Sequence, residues 1–297
     1  MKRILLTGAR GQLGYELRRA LATMGEVIAL DRQALDLSRG AAIAATVARS
    51  EPSLIVNAAA YTAVDRAEQE PDLARQINAQ APALLAEQAA HLGVPIIHYS
   101  TDYVSGGDAR EPMTEDVAVQ PLNVYGQTKL EGELAIAASG AEYLIFRTSW
   151  VYGARGSNFL LTVLRLARER DELRVVDDQL GAPTWCRALA EATAQVVAQL
   201  WAPAAPRRFA DVSGLYHLSA AGETSWHGFA QAILDRVPES DVLRCRHVTP
   251  IPSSEYPTAA ERPRYSVLDN RKFRNTFGFD LPDWRVQLGL VMDEIYG

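Results

Sequence analysis

Short apolar runs alternate with amphipathic stretches along roughly the first two-thirds of the chain. Residues 3–7, 27–30, 54–56, 95–99, 143–148 and 173–176 are runs of mostly Ile, Leu, Val, Phe and Tyr closed off by polar or turn residues, and they predict buried strands. Between them, the spacing of apolar positions predicts helices over 15–24, 71–92, the segment that holds Tyr125 and Lys129, 158–168 and 187–200. Six strands alternating with helices specify an α/β fold, a doubly wound parallel sheet. Pro203 to Pro206 interrupts the pattern, and beyond it the alternation becomes irregular. A short strand at 216–218, helices at 226–237 and 284–295, and a basic loop Arg262-Pro263-Arg264 mark a smaller region. The expected division is a dinucleotide-binding core over 1–150 and a mixed region over 151–297. The mixed region would complete the sheet, to about residue 200, and then form a smaller C-terminal α/β substrate-binding region.

The first predicted strand runs directly into Gly8-Ala9-Arg10-Gly11-Gln12-Leu13-Gly14 and then into a helix. In that order, glycines allow a tight turn and let the backbone approach a pyrophosphate, whose charge sits at the helix N-terminus. This is the start of a Rossmann-type unit. The second strand ends at Asp31, where an adenosine ribose would present its hydroxyls, and Asp36-Leu37 follows in the next turn. A capping or surface role for Asp31 is the alternative. After the third strand, Asn57-Ala58-Ala59-Ala60-Tyr61-Thr62 offers small side chains that suit a crevice floor, and the helix at 71–92 carries Asn78. The fourth strand ends at Ser100-Thr101-Asp102, at the functional edge of the sheet. His98, inside that strand, reads as a packed or hydrogen-bonded core histidine without a functional role.

The stretch Tyr125-Gly126-Gln127-Thr128-Lys129 sets a phenol and an ammonium four residues apart, on one face of a helix. With three lysines in the chain (Lys2, Lys129, Lys272) against 11 tyrosines, chance would rarely place such a pair. A unit charge about 5 Å away at an effective dielectric of about 20 contributes roughly 3 kcal/mol, or about two pKa units. Lys129 is therefore expected to bring the Tyr125 phenol towards neutrality and make it a usable acid-base group. The polar loop from Gly106 to Gln120 is expected to overhang this site. Trp150, after the fifth strand, reads equally as a packing residue or as a flat wall for a ring-shaped ligand.

Composition narrows the partners. Across 297 residues, 48% are hydrophobic, ordinary for a globular protein, and the net charge of −6 with no lysine/arginine run argues against a nucleic-acid surface. Cys186 and Cys245 lie far apart with no CxxC spacing, so neither a disulfide framework nor a zinc site is expected. The apolar run after Met1-Lys2-Arg3 is too short for a signal peptide, and no stretch approaches a membrane span. A cytoplasmic chain acting on small molecules is the expectation.

With these pieces together the sequence resembles the extended short-chain dehydrogenase/reductase superfamily, and within it the dTDP-4-dehydrorhamnose reductase family. The resemblance spans essentially the whole chain. It rests on the glycine turn at 8–14, on residues 56–65, on Ser100-Thr101-Asp102-Tyr103-Val104, on residues 121–130, and on Gly181-Ala182-Pro183-Thr184. It implies NADPH or NADH as cofactor and a sugar nucleotide as substrate. Tyr125 would be the proton donor, Lys129 would lower its pKa and hold the nicotinamide ribose, and Thr101 would complete the catalytic set. Thr101, Asp102 and Trp150 would contact the sugar nucleotide. Gly8, Gly11, Gln12, Leu13, Gly14, Asp31, Asp36, Leu37, Ala60, Tyr61 and Thr62 would line the cofactor site with Tyr125 and Lys129. Dehydratases of the superfamily follow their Thr-Asp with a carboxylate; here Tyr103 stands in that place. An epimerase, or a regulatory subunit that binds cofactor without turnover, are the alternatives. The family also suggests a magnesium-bridged dimer, at positions matching Glu16, Arg187 and Glu294. A guanidinium where a carboxylate is wanted argues against the metal, which leaves a monomer or a metal-independent homodimer.

Overall fold

The computed structural model describes residues 2–106 and 109–297. The chain begins with β1 (Arg3–Thr7), α1 (Gln12–Ala20), β2 (Glu26–Leu30), α2 (Gly40–Ser50) and β3 (Leu54–Asn57). It continues through α3 (Val64–Ala67), α4 (Pro71–Arg75), a π-helical turn over Gln76–Gln80, α5 (Ala81–Leu92), β4 (Ile96–Thr101), α6 (Val124–Ala138) and β5 (Tyr143–Thr148). Next come β6 (Val151–Tyr152), α7 (Phe159–Glu169), β7 (Glu172–Val176), β8 (Leu180–Gly181), β9 (Thr184–Trp185) and α8 (Cys186–Trp201). The last elements are β10 (Gly214–His217), β11 (Thr224–Ser225), α9 (Trp226–Leu234), β12 (His247–Ile251), α10 (Arg271–Phe277) and α11 (Trp284–Tyr296).

The main sheet has the order β10-β5-β4-β3-β1-β2, and its strands pair in parallel. Successive side chains of a strand point to opposite faces, so each strand feeds two cores. Ile4 and Leu6, Leu54 and Val56, Ile97 and Tyr99, and Leu144 and Phe146 pack on one side, with Leu17 of α1 and Leu189 and Val196 of α8. Leu5, Ile55, Ile96 and Ile145 pack on the other, with Ile43 of α2, Leu85 of α5 and Ile136 of α6. Burial on both faces explains why these strands read as continuous apolar runs. From β1 the chain goes to β2 on one side and returns as β3 on the other. The crevice at this reversal opens beyond the carboxyl ends of β1 and β3.

Residues 173–176 do not join this sheet. β7 exposes Glu172 and Arg174, which helices on both faces could not cover, and it pairs in parallel with β12 in a separate two-stranded sheet. The sixth strand is β10, parallel to β5, so the sheet is completed beyond residue 200 by the segment expected at 216–218. The helix expected over 71–92 is interrupted by the π turn around buried Asn78. There Gly132 of α6 packs so closely that a Cβ would lie 2.2 Å from the Asn78 carbonyl oxygen. Of the loop from Gly106 to Gln120, Gly107 and Asp108 lie outside the described residues. Met113 bridges to Leu268, and Gln120 donates from its main chain to Val104. Among the described residues, no helix is long and apolar enough to cross a membrane.

Candidate active site

The turn after β1 requires its glycines. Gly8 has φ +73°, and a Cβ there would lie 2.7 Å from the Ala59 nitrogen, while a Cβ on Gly14 would lie 2.1 Å from the Gly8 oxygen. Gly11 precedes α1 as its N-cap without a side-chain hydrogen bond, leaving the first-turn amides free to face an anion. Gln12 accepts from the Asn158 amide at 2.8 Å, and Leu13 packs against the core. Asp31 accepts from the amides of Gln33 and Ala34 at 2.9 and 3.0 Å and pairs with Arg10 at 2.7 Å. It thus caps its own turn while standing at the carboxyl end of β2. Asp36 is held by the Ser38 hydroxyl and amide, and the Leu37 side chain is buried in the core.

Across the crevice, Asn78 fixes the loop that carries Ala60, Tyr61 and Thr62. Its Oδ1 accepts from the Tyr61 amide at 2.8 Å, and its Nδ2 donates to the Tyr61 carbonyl at 3.1 Å and to Thr128 Oγ1 of α6 at 3.2 Å. One buried amide therefore ties this loop to the helix of Tyr125 and Lys129. Tyr61 donates its hydroxyl to Glu70.

α6 begins at Val124 because Asn123 caps it, accepting from the Gly126 amide at 2.8 Å. Gly126 lets the helix start close to the turn that follows β4: a Cβ there would be 2.2 Å from the Tyr103 carbonyl oxygen. Tyr125 and Lys129 share this helix, as their spacing predicts. The Tyr125 ring meets that of Tyr103 edge-on, with centroids 5.5 Å apart. Burial pushes the phenol up to about 12; a hydrogen bond with Thr101 works the other way and the Asp102 carboxylate works with burial. The expectation that Lys129 brings the phenol towards neutrality is not met. The Lys129 nitrogen is buried, donates to the Tyr99 carbonyl at 2.6 Å and lies 3.0 Å from His98 Nε2. Burial lowers its own basicity to about 8, against an opposing effect of Glu133. Tyr125 therefore carries its proton at neutral pH. His98, expected to be inert, is the direct neighbour of Lys129.

Thr101 donates to Asp102 Oδ1 at 3.0 Å and accepts from the Tyr103 amide. Asp102 is buried, which raises its carboxyl to about 6; Ser266 and Thr101 favour the anion, yet among the described residues Oδ2 has no partner in hydrogen-bond geometry. The folded-state value lies above the ordinary 3.8, so this group disfavours folding once pH rises through that window. Asp102→Asn is therefore expected to stabilise the fold at pH 7 by roughly 1–3 kcal/mol, with the gain vanishing below about pH 4. Urea midpoints at the two pH values check this; an equal effect at both would remove the electrostatic cause.

Trp150 adopts φ +47° and stacks on Trp226 with centroids 3.5 Å apart and an interplanar angle of 3°. Gly181 lies beneath it: a Cβ there would be 2.4 Å from the indole. The packing role is thereby established for one face of the ring. Arg262 forms two hydrogen bonds of 2.6 Å to Asp65, which holds the C-terminal region against α3.

A family model described as RmlD substrate binding domain matches residues 1–296. A dTDP-4-dehydrorhamnose reductase of Burkholderia thailandensis is 47% identical over 296 residues, covering 99% of both chains. The chain belongs to the dTDP-4-dehydrorhamnose reductase family. The crystal structure of a member from Clostridium acetobutylicum, 38% identical, superposes with TM-score 0.90 over 99% of this chain and 100% of that one. A member from Bacillus anthracis, solved in complex with NADP, is 34% identical with TM-score 0.89 over 99% and 100% of the two chains.

Arg187 sits between the carboxylates of Glu16 and Glu294. Its guanidinium donates from Nε and Nη2 to both Glu16 oxygens at 3.0 and 3.2 Å and from Nη2 to Glu294, all in one chain. Arg19 adds a second cation on Glu16 at 3.1 Å. These residues do not fit a magnesium ion, since the guanidinium fills the place between the carboxylates and needs no second subunit to reach them.

Proposed function

We propose that this chain reduces the C4 ketone of dTDP-4-dehydro-L-rhamnose to dTDP-L-rhamnose with NADPH or NADH, in dTDP-rhamnose biosynthesis. Full-length kinship to reductases of that name carries the reading, and the presence of Tyr125, Lys129 and Thr101 in the sequence, the first two on one helix, supports it. The cofactor fits the cradle built by Gly8, Gly11 and Gly14, with the free amides of α1 facing its pyrophosphate and Asp31 and Arg10 beside its adenosine ribose. When bound, the reduced nicotinamide supplies the hydride. Tyr125 delivers the proton to the developing alkoxide, and the Thr101 hydroxyl steadies that oxygen by a hydrogen bond. Lys129 holds the nicotinamide ribose, while Asp102 and Trp150 meet the sugar nucleotide. Gln12, Leu13, Asp36, Leu37, Ala60, Tyr61 and Thr62 complete the cofactor wall. Mixing the protein with dTDP-4-dehydro-L-rhamnose and following oxidation of NADPH and NADH in parallel tests substrate, reaction and cofactor together; consumption of neither refutes the reading.

The assembly we infer is a monomer or a metal-independent homodimer. Sedimentation velocity is expected to give the same species with EDTA as with millimolar magnesium, because Arg187 already satisfies Glu16 and Glu294. A dimer seen only with magnesium would contradict this.

A further inference from the structure

A chain of buried polar groups crosses the sheet beneath the candidate active site. Thr7, Asn57 and His98 are register neighbours on β1, β3 and β4, and Lys129 of α6 closes the line. Its hydrogen bonds have a fixed direction. Asn57 Oδ1 accepts from Thr7 Oγ1 at 2.6 Å and from the Ala59 main-chain N–H at 3.3 Å. A main-chain N–H can only donate, so the amide oxygen must face it and Nδ2 must face His98 Nδ1, 3.0 Å away. An amide nitrogen also only donates. His98 Nδ1 is therefore the acceptor, and a neutral ring then carries its proton on Nε2, 3.0 Å from Lys129 Nζ. Complete burial of His98 is the main cause that keeps the ring neutral.

An N–H aimed at an ammonium would set donor against donor. A neutral amine has a lone pair to accept it and two N–H groups, one of which donates to the Tyr99 carbonyl at 2.6 Å. We propose that His98 is a positioning residue for Lys129: the one-way chain Thr7–Asn57–His98 ends as an N–H donor facing the lysine nitrogen, which makes its ammonium less favourable and its neutral amine more accessible than in an ordinary lysine. That Lys129 works beside Tyr125 rests on the functional reading above; the direction of the chain does not. The other titratable and charged groups around Lys129 are Tyr99 on β4, Tyr125 and Glu133 on its own helix, and Asp102 beyond Tyr125. Glu133 is paired with Arg147 of β5.

Nitrogen-15 correlation spectra of the intact protein read the chain directly, since the two neutral histidine tautomers give different ring shifts and only five histidines are present. With His98 assigned through its backbone, the expected form is Nε2–H at neutral pH. Asn57→Asp keeps the shape and reverses the direction. A carboxylate accepts from Thr7, from Ala59 and now from His98, so the ring must move its proton to Nδ1 and offer Nε2 to an ammonium. The Lys129 signal, one of three lysine side chains, is then expected to titrate at least about one pH unit higher, a tenfold gain in basicity. His98 found with its proton on Nδ1, or doubly protonated, in the unsubstituted protein overturns the proposal, as does an unchanged tautomer in Asn57→Asp. If that variant fails to fold, the tautomer of the unsubstituted protein decides alone. A protein with the Nε2–H tautomer and no activity on the sugar nucleotide would sink the functional reading and leave this one standing.

Discussion

Replacing Tyr125 with Phe is expected to lower turnover by about 10²–10⁴-fold while leaving cofactor affinity nearly unchanged. The split follows from what the substitution removes. The ring stays, and with it the edge-on contact to Tyr103 that positions the start of α6. The hydroxyl goes, and with it the proton that Tyr125 carries at neutral pH beside Thr101. A loss in kcat with an unchanged dissociation constant for NADPH, measured by fluorescence titration, is the expected pattern. Retention of more than half of the activity would show that another group is the acid. A loss confined to cofactor binding would make Tyr125 a binding residue only.

The reach of sequence reading differs from one element to the next. Strands β1, β3, β4 and β5 were legible because burial on both faces writes itself as an unbroken apolar run, and the glycine turn was legible because steric need at Gly8 and Gly14 leaves no alternative residue. The sixth strand was assigned to the wrong segment. Residues 173–176 look as apolar as a core strand, but partner choice is a long-range matter, and the exposed Glu172 and Arg174 are what exclude β7 from the main sheet. The pairing of Tyr125 and Lys129 on one helix was a local fact and was found. The surroundings of Lys129 were not: His98 is 31 residues from it and 41 from Asn57 in sequence, so no spacing rule could connect them. Asn78 was noticed only as a helix residue. Its role in binding the Tyr61 loop to Thr128 depends on a π turn that periodicity reads as plain helix.

Arg147→Met is expected to cost about 3–5 kcal/mol of stability, a large part of the roughly 5–15 kcal/mol that holds a typical domain together. Arg147 of β5 and Glu133 of α6 form a two-pronged pair, with bonds of 2.9 and 2.6 Å, and both side chains are buried. Removing the arginine leaves a carboxylate stranded in the interior one helical turn beyond Lys129, with no water to solvate it. Replacing both partners removes that penalty, so Arg147→Met combined with Glu133→Leu should recover most of the loss. Urea unfolding of the two single variants and the double variant measures the coupling, and an Arg147→Met variant within about 1 kcal/mol of the parent would show that the pair is not stranded by its loss. Recovered stability should not restore the site. Glu133 is the neighbour that favours the Lys129 ammonium, so in the double variant the lysine is expected to titrate still further below its ordinary value, in a protein that is otherwise well folded.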